Sequence, residues 1–139
     1  MDKKPDIVKI AAAIVDEKRR LLIVKPYKHD TWISVGGKIE KGESELECLR
    51  REIKEEISVS VIGIPELLVD CPPEPAVGKP DLMVKITVYL TQVDRQPVPS
   101  EEIEELHWLS KDEFQNGEFD LGSVLGSSVI PKLIELEMM

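Results

Sequence analysis

The chain has 139 residues, of which 42% are hydrophobic and 32% charged, as expected for one globular domain with a core of its own. Its formal net charge of −9 argues against a protein that coats nucleic acid, because such a protein presents a basic face. No apolar run approaches the roughly 18 residues of a membrane span, and the charged N-terminal segment lacks the features of a signal peptide. We therefore expect a single domain over residues 1–139, located in the cytoplasm, with no membrane and no nucleic acid as partner.

The first part of the chain predicts three strands. Apolar, partly β-branched runs at 7–15 and 21–24 flank a polar turn, so we expect them to pair as a hairpin. A third short strand is expected over 31–35, and it should end at two consecutive glycines. A loop then leads to the first helix.

The first helix is predicted to begin at Ser44, because Ser44 and Glu47 have the spacing of a capping box. Four apolar residues then recur at helical spacing and should face the core: Leu46, Leu49, Ile53 and Ile57.

The second half predicts more strands and two helices. Strands are expected over 59–64, 67–70, 82–93 and 103–109, with proline-containing loops at 71–80 and 96–100. Ser110 and Glu113 repeat the capping-box spacing and predict a short helix. A last helix should begin near Ser128, with Pro131 in its first turn. The resulting prediction is an α+β fold, in which helices cover both faces of a mixed sheet.

Three glutamates of the first helix are the strongest candidates for a functional cluster. Glu52, Glu55 and Glu56 are spaced i, i+3 and i+4, so they project from one side of the helix. Glu56 lies at the edge of the apolar stripe, where a carboxylate loses hydration, and the three charges repel one another. Such a group suits Mg²⁺, which prefers oxygen ligands. Taken alone, however, an acidic helix face is more often a plain solvated surface.

The segment 37–59 resembles the Nudix box, whose pattern is G-x5-E-x7-R-E-U-x-E-E-x-G-U, where U is an aliphatic residue. Ser58 replaces the late glycine, and the other eight of the nine fixed positions match: Gly37, Glu43, Arg51, Glu52, Ile53, Glu55, Glu56 and Val59. The resemblance implies a Nudix-type α/β/α sandwich and a hydrolase that cuts a diphosphate bond in a nucleoside-diphosphate-linked substrate.

The resemblance also implies roles for the residues of the box. The metal ligands would be Glu56, with Glu52 and Glu55 as further ligands or as the general base, and the carbonyl of Gly37. The ion would be Mg²⁺, and Mn²⁺ can replace it on the same oxygen ligands. The serine at position 58 should affect stability slightly and leave the chemistry intact, since it holds no metal.

Arg51 is implied to pair with Glu43 and so to clamp the loop to the helix next to the catalytic glutamates. The alternative for Arg51 is an exposed ion pair with Glu47 at i−4, which would contribute little. The run 101–105 is the best source of an additional acid for the reaction, although most of it is better explained as an edge strand with charged side chains that face solvent. Glu105 is the first candidate there, because it lies three residues before Trp108, a spacing often seen in the family.

Substrate contacts are expected near the box. Lys38 and Lys25 are candidates to bind phosphates, and Trp32 is a candidate to stack on a base. Lysines near such loops are more often plain surface residues, however, and a tryptophan in such a strand is often simply part of the core. The compact length favours a nucleoside-triphosphate pyrophosphohydrolase of the MutT type. An ADP-ribose or nucleotide-sugar pyrophosphatase is the alternative, and a nucleotide-sensing module without turnover is a third hypothesis. The partner would be a small nucleotide, and both a monomer and a homodimer are compatible with the sequence.

Overall fold

A computed structural model describes residues 4–76 and 78–139. The helices are α1 (Glu45–Ile57), α2 (Lys111–Gln115) and α3 (Ile130–Glu135), the last preceded by a π-helical turn at Leu125–Val129. The strands are β1 (Ile7–Ala13), β2 (Leu21–Pro26), β3 (Val35–Lys38), β4 (Val61–Asp70), β5 (Glu74–Ala76), β6 (Lys79–Val93) and β7 (Ile103–Leu109). Among the described residues, no helix combines the length and the apolar character that crossing a membrane requires.

Two sheets carry the fold. The larger one has the strand order β3-β1-β6-β4, and β5 also pairs with β6. Within it, β1 and β6 run parallel while the other pairs are antiparallel. The smaller sheet pairs β2 with β7 in antiparallel fashion. The expected mixed β-structure is therefore confirmed.

Strand β1 lies at the centre, with a hydrophobic core on each of its faces. Because side chains alternate along a strand, Ile10 and Ala12 face α1, whereas Ala11 and Ala13 face the C-terminal helices. On the first side α1 contributes buried side chains at helical spacing: Leu49, Ile53 and Ile57, with Cys48 beside them. On the second side the C-terminal segment contributes Leu125, Val129, Ile130 and Leu133. Helices thus cover both faces, as the pattern predicts.

The ends of α1 are those that the sequence indicates. The Ser44 side chain accepts a hydrogen bond from the backbone of Glu47, and the Glu47 carboxylate accepts one from the backbone of Ser44. At the other end Ser58 adopts the left-handed conformation with φ 58°, and its N–H donates to the Lys54 carbonyl. Of the four residues expected to face the core, Leu46 is only partly buried.

The predicted hairpin of the first two strands is wrong. They meet at an isolated bridge between Val15 and Leu21, and Leu22 N donates to Ile14 O at 2.9 Å. Beyond that point β2 pairs with β7, which lies about 80 residues further along the chain. The first four residues of β2 are all at most 1% exposed. Because both faces of β2 are buried, its sequence shows no alternation of polar and apolar residues that would identify its partner strand.

Three other strand boundaries differ from the prediction. Residues 31–35 do not form a strand, since Trp32 and Ile33 make only isolated bridges, and β3 instead runs through the two glycines. The loop expected over 71–80 contains β5, and β6 begins within it. The two strands expected over 59–70 are one strand, β4, with irregular register between Ile62 and Glu66 and again between Leu67 and Val69.

Candidate active site

A cavity of about 520 Å³ opens where β3, α1 and the loop before β7 meet. It is lined by box residues that the sequence singles out, by Gly36 and by three further acids, Glu40, Glu101 and Glu102. The box residues in the lining are Gly37, Lys38, Arg51, Glu52, Glu55 and Glu56. The fold therefore places the acidic side of α1 and the glycines of β3 around the same cavity.

Glu56 is the most deeply placed acid of this cavity. Its Oε1 accepts a hydrogen bond from the backbone N–H of Gly36 at 2.9 Å. Burial raises the pKa of Glu56 to about 8, the hydrogen bond from Gly36 opposes the rise, and the neighbouring Glu52 and Glu102 add to it. Without a cation, this carboxyl group therefore retains its proton near neutral pH.

Glu52 occupies the space that the missing side chain of Gly37 leaves open. A Cβ atom on Gly37 would lie 2.4 Å from the Glu52 carboxylate, well inside van der Waals contact. Burial raises the pKa of Glu52, while the hydrogen bond and the charge of Arg51 lower it. The glycine thus lets the helix carboxylate reach the backbone of β3.

Arg51 links the loop before α1 to the helix. Its Nε and Nη2 donate to the two carboxylate oxygens of Glu43 at 2.7 and 3.0 Å. It also donates to Glu52 from Nη1 at 2.8 Å and to the Lys38 carbonyl from Nη2 at 3.1 Å, and Nη1 makes a longer contact with Glu55 at 3.4 Å. The hydrogen bond from Arg51 lowers the pKa of Glu43 to about 2, with a backbone hydrogen bond from Glu40 adding to the effect.

This forked geometry with Glu43 is the strong form of an arginine–carboxylate pair. The alternative partner, Glu47, instead completes the capping box at the start of α1. Arg51 therefore fixes both the loop and the Glu52 carboxylate, and its side chain is only 24% exposed.

The donor set of the cavity suits a hard divalent cation. Within residues 4–76 and 78–139, no three His, Cys, Asp or Glu side chains are grouped closely enough to form a ready-made metal site. Mg²⁺ does not require such a cage, because it binds through one or two carboxylates and retains several waters. Glu52, Glu55 and Glu56 line one cavity and repel one another, so a cation there would relieve the repulsion. The residues present thus fit Mg²⁺ or Mn²⁺.

From the run 101–105, Glu101 and Glu102 line the cavity, and Glu105 is not among the lining residues. Glu105 lies on β7, where its carboxylate is 4.0 Å from Lys25 Nζ. The loop before β7 is tied to the end of α1, since Ser100 N donates to Glu56 O at 2.9 Å. This long-range contact brings the start of the acidic run to the cavity, and spacing relative to Trp108 could not have indicated it.

Lys25 and Trp32 lie outside this cavity. Lys25 forms an ion pair with Glu104 across the small sheet. Trp32 packs edge-on against Phe119, with ring centroids 5.5 Å apart, and near His107 at 6.2 Å. Of the three proposed substrate contacts, the fold places only Lys38 at the cavity wall.

Comparison with known proteins identifies the family. The model of the NUDIX domain matches residues 6–125. The chain is 33% identical over 69 residues to dihydroneopterin triphosphate diphosphatase from Escherichia coli K12, a match that covers 50% of this chain and 46% of that protein. The chain thus spans about half the length of this curated relative.

Solved structures share the fold. The structure of MutT protein from Methanosarcina mazei Go1 superposes with a TM-score of 0.79 at 22% identity, covering 99% of both chains. That of a MutT NUDIX hydrolase from Burkholderia pseudomallei gives 0.67 at 26% identity, covering 79% of this chain and 86% of that one. These likenesses confirm the mixed α+β architecture. Since the family model matches well over half of the residues, this chain belongs to the NUDIX domain family.

Proposed function

We propose that this protein is a divalent-metal-dependent pyrophosphohydrolase, which converts a nucleoside triphosphate or a similar triphosphate into the monophosphate and pyrophosphate. The observation that carries the proposal is the gathering of Glu52, Glu55 and Glu56 with Gly37 around one cavity in a chain of this family. The name of the Escherichia coli relative, a diphosphatase acting on a triphosphate, supports the same class of substrate. The proposal includes a single domain over residues 1–139, a cytoplasmic location and a small nucleotide as partner.

The side chains of the cavity can be assigned to steps of this reaction. Lys38 lines the cavity and would neutralise part of the substrate's phosphate charge. A water oxygen attacks a phosphorus atom, the bond from that phosphorus to the bridging oxygen breaks, and pyrophosphate leaves. Glu52 or Glu55 takes the proton of the attacking water. Arg51 holds Glu52 in place through the hydrogen bond described above.

The metal would be held by Glu56 together with Glu52, Glu55 and the Gly37 carbonyl. When bound, it supplies charge neutralisation at the phosphate oxygens and the leaving group. The buried position of Glu56, where burial raises its pKa to about 8, is consistent with a carboxylate that ionises when a cation arrives.

The decisive experiment measures formation of the nucleoside monophosphate from a panel of nucleoside triphosphates, ADP-ribose and nucleotide sugars, with and without Mg²⁺, together with pyrophosphate release from the triphosphates. The variant Glu56→Gln is tested beside Glu45→Gln, which changes a carboxylate at the other end of the same helix, where Glu45 accepts a hydrogen bond from Tyr89. The glutamine at position 56 can still accept the hydrogen bond from Gly36, so the fold should be retained.

We expect turnover of triphosphates by the wild type, a loss of about 100-fold or more in Glu56→Gln, and little change in Glu45→Gln. Full activity of a folded Glu56→Gln protein would refute the role of this site. Turnover confined to ADP-ribose or a nucleotide sugar would refute the substrate class. Metal binding without turnover of any compound would favour the nucleotide-sensing alternative instead.

A further inference from the structure

Two lysines stand directly opposite each other beside the active-site cavity. In the antiparallel pair of β1 and β3, Lys9 is the cross-strand partner of Lys38, and both are exposed. Directly opposite residues of such a pair project from the same face, and their Cβ atoms lie only about 5 Å apart. Lys38 lines the active-site cavity, while Lys9 lines a neighbouring cavity of about 380 Å³, which shares Gly36 and Gly37 with the first. The lysine pair thus lies at the junction of the two cavities.

The strand positions around this pair carry no acid. Residues two apart on a strand, and residues opposite or diagonal to it on the neighbouring strands, are the ones that share a face and can touch. Within the described strands, the positions that surround Lys9 in this way, other than Lys38, hold only apolar side chains or glycine: Ile7, Ala11, Val84, Ile86, Val88 and Gly36. The sheet itself therefore does not neutralise the two charges.

More distant acids do not neutralise the pair either. In the described ranges 4–76 and 78–139, no ion pair within 4.0 Å includes Lys9 or Lys38. Another strand lysine, Lys85, differs in this respect, because it pairs with Asp70 at 3.1 Å. Like charges directly opposite each other across a strand pair destabilise the sheet. In a chain with a net charge of −9, such an uncompensated pair of positive charges is the feature expected of a site that binds an anion.

We propose that Lys9 and Lys38 together bind a phosphate group of the substrate that the metal-binding carboxylates do not hold, so that the enzyme selects substrates with three phosphates over those with two. The inference rests on the function proposed above and specifies how the substrate class of that site is selected. Each ammonium group donates a charge-assisted hydrogen bond of about 2.8 Å to a different oxygen of this phosphate. A phosphate group can carry two negative charges and so matches the two lysines, whereas a carboxylate would neutralise only one of them.

The position of the pair explains why it responds to a third phosphate. Ile10, the residue after Lys9, packs against α1, so Lys9 and Lys38 project from the other face of the large sheet. The metal-binding carboxylates lie on α1. A substrate with two phosphates, both held at those carboxylates, leaves the lysine pair without a ligand. A triphosphate has one phosphate more, which extends to the junction of the cavities and neutralises the pair.

The binding test is calorimetric titration of the full-length, metal-free protein with inorganic phosphate at low ionic strength, with acetate as a singly charged comparison. The variants are Lys9→Gln and Lys38→Gln, and the control is Lys111→Gln, which removes a lysine at the start of α2, outside both cavities. We expect each of the two variants to weaken phosphate binding by about 10-fold or more, and the control to change it less than about 2-fold. Acetate should bind at least about 10-fold more weakly than phosphate.

The selectivity test compares kcat/KM in Mg²⁺ for a nucleoside triphosphate and for the diphosphate of the same nucleoside. Lys9→Gln should lower the ratio of these two values by about 10-fold, chiefly through a higher KM for the triphosphate, because the lysine pair binds a group that takes no part in bond cleavage. Lys111→Gln should keep the ratio within about 2-fold of the wild type. An unchanged ratio in Lys9→Gln would overturn the selection of triphosphates by this pair.

Thermal melting distinguishes an anion site from a lysine that merely supports the fold. In low salt without phosphate, Lys9→Gln should raise the melting temperature by about 1–3 °C, because the repulsion from Lys38 is removed. Added phosphate should then stabilise the wild type more than the variant. A lower melting temperature of Lys9→Gln in phosphate-free buffer, or equal stabilisation of both proteins by phosphate, would overturn the inference.

The failure of this inference and that of the proposed function give different results. If phosphate binding depends on both lysines but no triphosphate is hydrolysed in Mg²⁺, the proposed function fails while the anion site stands. If triphosphates are hydrolysed, but phosphate does not bind, binds equally well to folded Lys9→Gln or binds no more tightly than acetate, the anion site fails while the proposed function stands.

Discussion

Replacing Gly37 by alanine should reduce catalysis while leaving the fold nearly intact. The added Cβ would lie 2.4 Å from the Glu52 carboxylate, whereas non-bonded heavy atoms approach to about 3.5 Å, so the carboxylate must move by about 1 Å. A displacement of that size at a reacting group can lower activity about 100-fold. The clash is with the end of a flexible side chain, so the free energy of unfolding should change by no more than about 1 kcal/mol, the typical cost of a strained rotamer.

The matched control is Gly36→Ala on the preceding residue. There the Cβ would lie 2.2 Å from the Ile10 carbonyl oxygen and 2.6 Å from the Ala11 Cα, and φ is 152°. Since backbone atoms of the central strand cannot rotate away, this variant should lose stability much more than Gly37→Ala. The assays are Mg²⁺-dependent pyrophosphate release and thermal unfolding. Wild-type activity of Gly37→Ala would refute the argument that Glu52 needs the space beside the glycine.

Three further predictions follow from other contacts. Arg51→Lys should lower kcat/KM by about 10- to 100-fold in steady-state assays, because an ammonium cannot make the forked pair with Glu43; an unchanged kcat/KM would contradict this. Ser58→Gly should raise the free energy of unfolding by about 1 kcal/mol in urea titrations, because φ is 58°; a loss of stability would contradict it. For Glu56, the folded-state pKa of about 8 exceeds the ordinary 4.5, so the folded protein binds more protons than the unfolded chain between these values. The metal-free protein should therefore lose stability as pH rises through that window, and added Mg²⁺ should restore the lost stability. Thermal melts from pH 5 to 9 in which the melting temperatures with and without Mg²⁺ do not diverge as pH rises would count against the site.

The features of helix α1 were predictable because they are local. The capping box at Ser44 and the buried stripe ending at Ile57 depend on residues three or four apart. The left-handed conformation of Ser58 follows from the position at which the helix ends. The same helical spacing predicts that the three glutamates of the box lie on one side of α1, and in the fold that side faces the cavity beside β3.

The strand pairing was not predictable, since it is decided between distant segments. Strand β2 is buried on both faces and pairs with β7 instead of its neighbour in sequence. The cavity acids Glu101 and Glu102 reach α1 only because the loop before β7 bonds to its last turn.

The most direct test of the central proposal is ³¹P NMR of a nucleoside triphosphate incubated with the protein, in Mg²⁺ and in excess chelator. We expect the monophosphate and pyrophosphate to accumulate in Mg²⁺ and neither product to form with the chelator. Turnover that persists with the chelator, or release of single phosphate with formation of the diphosphate, would contradict a metal-dependent pyrophosphohydrolase at this site.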